Sequence, residues 1–470
     1  MLTADSDCRM LNQDQAADLF DRIKKHSTAD EVEVLFAGGK SALTRFANNI
    51  IHQNVAEENY VVSVRTAFGG RTARATTNKL DDESLRRAVQ SSERLAKVQH
   101  PDSDLLPMPA RGSDAAHHDA TPSRHFSETA AITPAQRAET VKKIVAIADQ
   151  HKLTTAGICS TSESVEAVFN SRGLSDWHTQ TSSEISITML AADSSGWQKA
   201  NSPNVATLNA AALAETAARN AFESASPREI PPGKYTVILE PAAVLDIVGF
   251  MFFDFGGLSV LDQRSFLNNR VGTKLFGDNI NVWDDVAHPL QSGVPFDGEG
   301  MRRQKIQLVE NGVIKQLVYA RASAEKMKHS EHKDKVGPIA ATGHGFPLPN
   351  EMGEAPMNIV FSANPNPSTV DQMIATTDRG VLVTRLWYIR EVDPYEKILT
   401  GMTRDGTFYM EDGKIRHGVR NFRFNQSLIH MLSNVEAMSA PVRASGEESF
   451  DMVVPAMKVN DFNFTEVTKF

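Results

Sequence analysis

Two groups of residues in this 470-residue sequence could do chemistry. The first is the carboxylate of Asp246, in the middle of the apolar run "EPAAVLDIVGFMFFDF" at residues 240–255, directly after the strand-like "KYTVIL". Such an acid is either the remnant of a catalytic site or a structural group, and on its own it reads as an acid near a first turn that favours a helix N-terminus. The second is "HSEH", His329 to His332, with His344 further on. Two histidines three apart can share a helical face, and a third imidazole could complete a zinc site. The surrounding "KMKHSEHKDKVG" is crowded with lysines that oppose a cation, so a solvated loop or frayed helix end is the expectation there. The adjacent His117 and His118 cannot be co-facial on a helix.

Other chemistries lack their motifs. "TGHGFPLPNEMG", residues 342–353, could let backbone approach a bound peptide, yet it reads more simply as an ordered crossover loop. No helix-opening G-x-G-x-x-G, no G-x-x-x-x-G-K-[ST] and no G-x-S-x-G elbow is present, which removes nucleotide-cradle and α/β-hydrolase readings. A net charge of −9 without a basic block gives no footprint for nucleic acid, so no direct nucleic-acid partner is expected. With 41% hydrophobic and 23% charged residues the chain reads as an ordinary globular protein with a sizeable core.

Two cysteines, Cys8 and Cys159, cannot build a disulfide framework or a four-thiolate zinc site and fit a reducing compartment. The start "MLTADSDCRMLNQDQ" has neither a basic n-region nor an apolar h-region, so no lipid on Cys8 and a cytoplasmic location are expected. The longest apolar stretch, Pro241 to Phe255, contains Asp246 and Asp254. It is too short and too charged for a bilayer span of about 20 residues and predicts a buried helix, with no membrane partner.

The elements that must position these residues follow from periodicity. Residues 13–25 and 81–98 repeat apolar side chains at helical spacing, while "EVEVLFAG", "SALTRFANN" and "NYVVSVRTAF" read as strands, with a hairpin turn at Gly69-Gly70. A Pro-, Gly- and Ser-rich stretch follows. Thr133, Pro134 and Gln136 then mark a capped helix over 134–150, two further strands come next, and an Ala-rich helix is expected from about Val205 to Ser224. "SPREIPPGKY" opens a last domain of short strands with hairpin turns at Asn311-Gly312 and Asp412-Gly413. The expected fold is α+β: an N-terminal module over 1–110 and a central module over 111–230, both antiparallel sheets with helices, followed by a β-rich C-terminal domain over 231–470.

Six segments in this order, "TRFANNIIHQN", "YTVILEPAAVLDIVGF", "TGHGFPLPN", "RGVLVTRLWY", the Asp393-Pro394 step and "GTFYMEDGKIRHGVRNFRFNQSLIHML", resemble the TldD/PmbA family from about residue 32 to the C-terminus. In the catalytic TldD branch a helix after a strand carries H-E-x-x-x-H, and a cysteine near the C-terminus gives a third zinc ligand. The metal acidifies a water whose proton the glutamate takes. Against that motif this chain reads Leu245, Asp246, Ile247, Val248, Gly249, Phe250, and the counterpart of the cysteine falls at Ser445 in "RASGEESF". Neither Leu nor Phe has a lone pair, so the resemblance implies a PmbA (TldE)-like chain whose zinc ligands and catalytic glutamate are replaced.

The resemblance further implies a subunit inactive alone, with no cofactor of its own and zinc in a TldD-type partner, acting on small or unfolded peptides. A homodimer in the partner's absence is the other assembly considered. The alternative is an autonomous metallopeptidase or peptide-binding protein built on Asp246, His329, His332 and His344. Modulation of DNA gyrase, an older idea attached to the family, gains no support from the acidic balance as direct DNA contact. The apolar surplus from Val244 to Phe253 is expected to serve both the chain's own core and a partner or cavity wall.

Overall fold

The computed structural model describes residues 10–112 and 122–468. Cys8, His117 and His118 lie outside the described residues. The chain is α+β, with an antiparallel N-terminal sheet backed by helices and a β-rich C-terminal half.

Strands β1 (Glu31–Ala47), β2 (Ile50–Phe68), β3 (Arg71–Thr77), β4 (Thr154–Asn170), β5 (Ser175–Leu190) and β6 (Ser195–Ser202) form one sheet in the order β3-β2-β1-β4-β5-β6, antiparallel throughout. Strands from the first 110 residues and from the next 120 thus share one ladder, joined at β1 and β4. The segments expected as separate short strands are two long ones. "EVEVLFAG" and "SALTRFANN" run on as β1, and a tight turn at Asn48-Asn49, both at positive φ, returns the chain as β2. The Gly69-Gly70 hairpin joins β2 to β3 as expected.

Alternation gives the sheet two unlike faces. On one, Val32, Val34, Phe36, Val62, Val64 and Phe169 pack under helices α1 (Gln13–His26) and α2 (Asp82–Val98). Farther along, Phe46, Cys159, Ile185 and Ile187 pack under α4 (Pro134–Gln150) and α5 (Ala210–Glu223), and a short α3 (Ser127–Ala130) lies between. The capping box of Thr133 and Gln136 is present. Residues 205–207 form a separate 3₁₀ turn rather than extending α5, because the Asn209 side chain caps α5 by accepting from the Ala212 N–H.

The other face is polar and meets the C-terminal half through ion pairs. Buried Glu33 receives Arg65 at 2.9 Å and Arg74 at 2.6 Å, and Arg74 Nε also donates to the Leu348 carbonyl at 2.6 Å. Asp176 on β5 pairs with Arg302.

The C-terminal half holds two sheets. Short strands β8 (Val282–Asp284), β9 (Ile306–Glu310), β10 (Val313–Ile314), β11 (Ile359–Phe361), β17 (Val442–Ala444) and β18 (Met452–Val454) take the order β10-β9-β8-β11-β18-β17. The larger sheet orders β7 (Gly233–Leu239), β12 (Arg379–Asp393), β13 (Ile398–Glu411), β14 (Lys414–Gly418), β15 (Phe422–Ser427) and β19 (Met457–Val467) as β12-β7-β19-β15-β13-β14, with β16 (Val435–Met438) on β19. A further pairing of β13 with β12 closes a five-strand ring. Phe422 and Phe464 stack at 4.6 Å among its aromatic residues. The hairpins at Asn311-Gly312 and Asp412-Gly413 are present, whereas β7–β12 and β11–β18 are parallel.

The segment read as one helix over 241–255 is α6 (Pro241–Val248), a 3₁₀ turn over Gly249–Phe255, then α7 (Gly257–Leu261). Leu245, Ile247, Val248, Met251 and Phe252 are fully buried in the chain's own core, Phe250 is half-buried, and Phe253 is exposed. The apolar surplus expected to face outward is therefore nearly all consumed internally. No helix among the described residues is long and apolar enough to cross a membrane.

Candidate functional site

Strand β7 feeds directly into α6, and Pro241 at the first helical position suits an N–H that has no helical partner. Asp246 lies in the last turn of α6, so it cannot act as the N-terminal acid expected from the sequence. Its carboxylate serves another element instead. Oδ1 accepts from the backbone N–H of Glu447 at 3.2 Å and of Glu448 at 3.0 Å. These N–H groups belong to the loop between β17 and β18, which also carries Ser445.

The positions that the family resemblance pairs, Asp246 and Ser445, are thus brought together across some 200 residues of sequence. Gly446 is what permits the approach, since a Cβ there would overlap Asp246 Oδ1 and lie 2.6 Å from Leu245 Cδ2. On its far side the loop is held by the N-terminal sheet: Lys199 Nζ donates to the Gly446 carbonyl at 3.1 Å, and Asn201 Nδ2 donates to Ser445 Oγ at 3.2 Å. Arg443 donates to Asn201 Oδ1 at 2.6 Å and pairs with Asp451 at 3.2 Å.

Asp246 is wholly buried, and among the described residues its Oδ2 has no hydrogen-bond partner. Burial pushes its carboxyl up to about 7, against the two N–H donors and the positive charge of Arg385. Arg385 is itself committed, at 2.9 Å from Asp405 and between the rings of Trp197 and Trp387 at 4.3 and 4.8 Å. The site can hold a proton near neutral pH. At the positions the resemblance assigns to the motif, the donors are one carboxylate and one hydroxyl, beside the hydrocarbon side chains of Leu245 and Phe250, and these do not fit zinc, which takes imidazole, thiolate and carboxylate in sets of three or four.

The histidines of the alternative reading are not brought into one site. His329 ends α8 (Arg321–Lys328), is largely exposed and pairs with Glu325 at 3.2 Å. His332 lies 3.9 Å from Glu331 in the turns that follow. His344 is completely buried, with Nε2 3.0 Å from Asp284 and Nδ1 3.0 Å from Thr342 Oγ1. Burial lowers the imidazole pKa more than Asp284 raises it. Burial alone would raise the Asp284 carboxyl, but Arg303, His344 and the Asn358 N–H hold it well below the usual range. His344 thereby ties the "TGHGFPLPN" loop to β8. Among the described residues no three His, Cys, Asp or Glu side chains are grouped to hold a metal ion.

Lys199, Asn201, Arg385, Gly446 and Glu448 were not foreseen from sequence. Their partners lie far away in the chain and no local pattern marks them. Only Gly446, next to Ser445 in a Gly- and Ser-containing turn, carried a signal of close backbone approach.

Comparison with known proteins agrees with this architecture. The family model described as PmbA/TldA metallopeptidase C-terminal domain matches residues 232–466, and that described as PmbA/TldA metallopeptidase domain 1 matches residues 32–96. The chain is 22% identical to the metalloprotease PmbA of Escherichia coli O157:H7 over 451 residues, 92% of each protein. It is 23% identical to a metalloprotease of Methanothermobacter thermautotrophicus over 363 residues, covering 71% of this chain and 72% of that one. The crystal structure of TldE from Thermococcus kodakarensis superposes with a TM-score of 0.83 at 18% identity, over 96% of this chain and all of the other, which speaks for a shared fold. The chain belongs to the TldD/PmbA metallopeptidase family.

Proposed function

We propose that this protein is a PmbA/TldE-type, non-catalytic subunit that works with a TldD-type, metal-bearing subunit on small or unfolded peptides. One observation carries the reading. The four motif positions Leu245, Asp246, Phe250 and Ser445 sit on α6, the turn after it and the facing loop, yet they offer a single carboxylate already bound to two backbone N–H groups. Such a site packs and positions a loop rather than holding a metal. The chain contributes walls and interface, and the partner contributes zinc, base and water.

The test is twofold. The protein purified alone, without a polyhistidine tag, is expected to hold far less than one zinc per chain by elemental analysis. Co-expression with a TldD-type chain is expected to give a stable hetero-oligomer whose cleavage of an unstructured peptide needs both chains and stops with a chelator. One tightly bound zinc in the isolated chain, or comparable cleavage by it alone, refutes the subunit reading.

A second reading has one observation in its favour: Asp246 has an unpartnered oxygen and a pKa of about 7, suited to proton transfer near neutrality. Under it, Asp246→Asn abolishes peptidase activity while assembly and fold persist. Under the subunit reading that activity stays nearly intact.

A further inference from the structure

Strand β3 ends at Thr77, opposite Val62 of β2, and no other strand among the described residues pairs with that side of β2. From Ile50 to Val61 the strand is therefore bonded to β1 on one side and open on the other. Its register with β1 is unbroken from Gln53 to Ala67, and its register with β3 from Val62 to Phe68. This continuity fixes which groups point outward. Phe68 and Arg71 flank the two-residue Gly69-Gly70 turn and form its closing hydrogen-bonded pair, so even-numbered residues of β2 turn their N–H and C=O toward β3. In agreement, the carbonyl of the odd-numbered Ala67 accepts the N–H of Asp30, just before β1, at 3.1 Å. By the same alternation Asn54, Ala56, Glu58 and Tyr60 present their N–H and C=O groups to the open edge.

Natural sheets guard such an edge with proline, lysine or an interrupting bulge. "IIHQNVAEENYV", residues 50–61, contains neither proline nor lysine, and the one register shift lies near its start, where Arg45 faces Gln53 and Phe46 faces Ile51. Exposed Ile50, Ile51 and Val61 flank the open stretch, and its middle carries Glu57 and Glu58 on opposite faces. A cavity of about 400 Å³ adjoins the edge, and its charged lining residues are Lys40, Glu57, Glu58 and Glu163. We infer that the open edge of β2 binds an extended segment of a basic polypeptide as an added antiparallel strand, in line with β3.

The backbone row supplies the bonds, and the acidic balance beside it selects the charge, since Glu57, Glu58 and Glu163 stand against the single Lys40 that lies between Glu58 and Glu163 in register. A second copy of this chain is disfavoured as occupant because it would bring four carboxylates into one seam. The inference does not depend on the subunit reading, since the edge and the Asp246 site share no residue and each can fail alone.

The experiment is hydrogen–deuterium exchange of the full chain with a capped nine-residue peptide of alternating lysine and valine. Residues 53–61 are expected to exchange about tenfold more slowly with peptide at about 1 mM, and a peptide of alternating glutamate and valine is expected to give no protection. Ala56→Pro, which removes an outward N–H without touching the β1 ladder, is expected to keep the thermal midpoint and lose the protection. Should that variant fail to fold, the double substitution Glu57→Lys and Glu58→Lys is expected to fold and to exchange preference to the acidic peptide. Equal protection by both peptides, none by the basic peptide, or protection without peptide that grows with protein concentration overturns the inference, the last by placing a second copy on the edge.

Discussion

Asp246 and Glu448 are linked in series. Asp246 Oδ1 accepts the N–H of Glu448 at 3.0 Å, while the carboxylate of Glu448 accepts the N–H groups of Tyr388 and Ile389 at 2.8 and 3.2 Å. The loop between β17 and β18 is thus pinned to α6 below and to the irregular stretch of β12 above, where Tyr388 takes a positive φ of 55°. A bulky residue in that conformation costs of order 1 kcal/mol or more and persists only when its surroundings dictate it.

Because burial raises the Asp246 carboxyl from 3.8 to about 7, the folded chain binds a proton there that the unfolded chain releases. Between those values the folded state holds more protons, so this group's contribution to stability falls as pH rises from about 4 to about 7. Asp246→Asn is expected to raise stability by about 1.5 kcal/mol at pH 5 and by about 4 kcal/mol at most at pH 8. Asp284, held low, acts in the opposite sense, losing its contribution as pH falls below the ordinary carboxylate range. Urea midpoints of wild type and variant across pH 5–8 check the Asp246 slope.

Gly446→Ala places a methyl group on Asp246 Oδ1 and beside Leu245. Overpacking of this kind costs roughly 1–3 kcal/mol. The midpoint of chemical denaturation measures the loss, and increased proteolysis between Ala444 and Met452 locates it.

Two neighbouring phenylalanines separate core from surface. Phe252 is fully buried and Phe253 is 42% exposed. Phe252→Asp is expected to unfold the chain, since an unpaired buried carboxylate costs more than about 4 kcal/mol. Phe253→Asp is expected to keep the circular dichroism spectrum and to weaken hetero-oligomer formation on size exclusion if this ring meets the partner, as the subunit reading has it. Unchanged assembly would move the interface elsewhere.

Glu33 holds Arg65 and Arg74 on the polar face of the N-terminal sheet, and Arg74 reaches the Leu348 carbonyl. Glu33→Gln leaves two guanidinium groups in a buried setting without their carboxylate. A loss of about 3–5 kcal/mol is expected. Thermal unfolding read by near-ultraviolet circular dichroism checks it.

Local rules made much of this fold legible. Thr133, Pro134 and Gln136 specify a helix start because their side chains and backbone satisfy one another within one turn, and Gly69-Gly70, Asn311-Gly312 and Asp412-Gly413 specify hairpins because a two-residue turn needs positive φ. The same reasoning failed where length was at issue. Nothing within a window of ten residues says that β1 and β2 run to 17 and 19 residues, and the Asn48-Asn49 turn, which follows the same positive-φ rule, carries no glycine to mark it.

The sequence by itself determined the donor types: with Leu245, Asp246, Phe250 and Ser445 at the positions the family resemblance assigns to the zinc motif, those positions carry no imidazole or thiolate however the chain folds, because that is covalent chemistry. It also determined the apolar character of residues 241–255. Only the tertiary structure decided that Asp246 faces a loop 200 residues away, that Gly446 admits it, and that His344 is a buried partner of Asp284 rather than of His329 or His332. Contacts between β7–α6, the β17–β18 loop and β6 join three distant stretches of chain, and their energies depend on burial and packing that exist only once the sheets have formed.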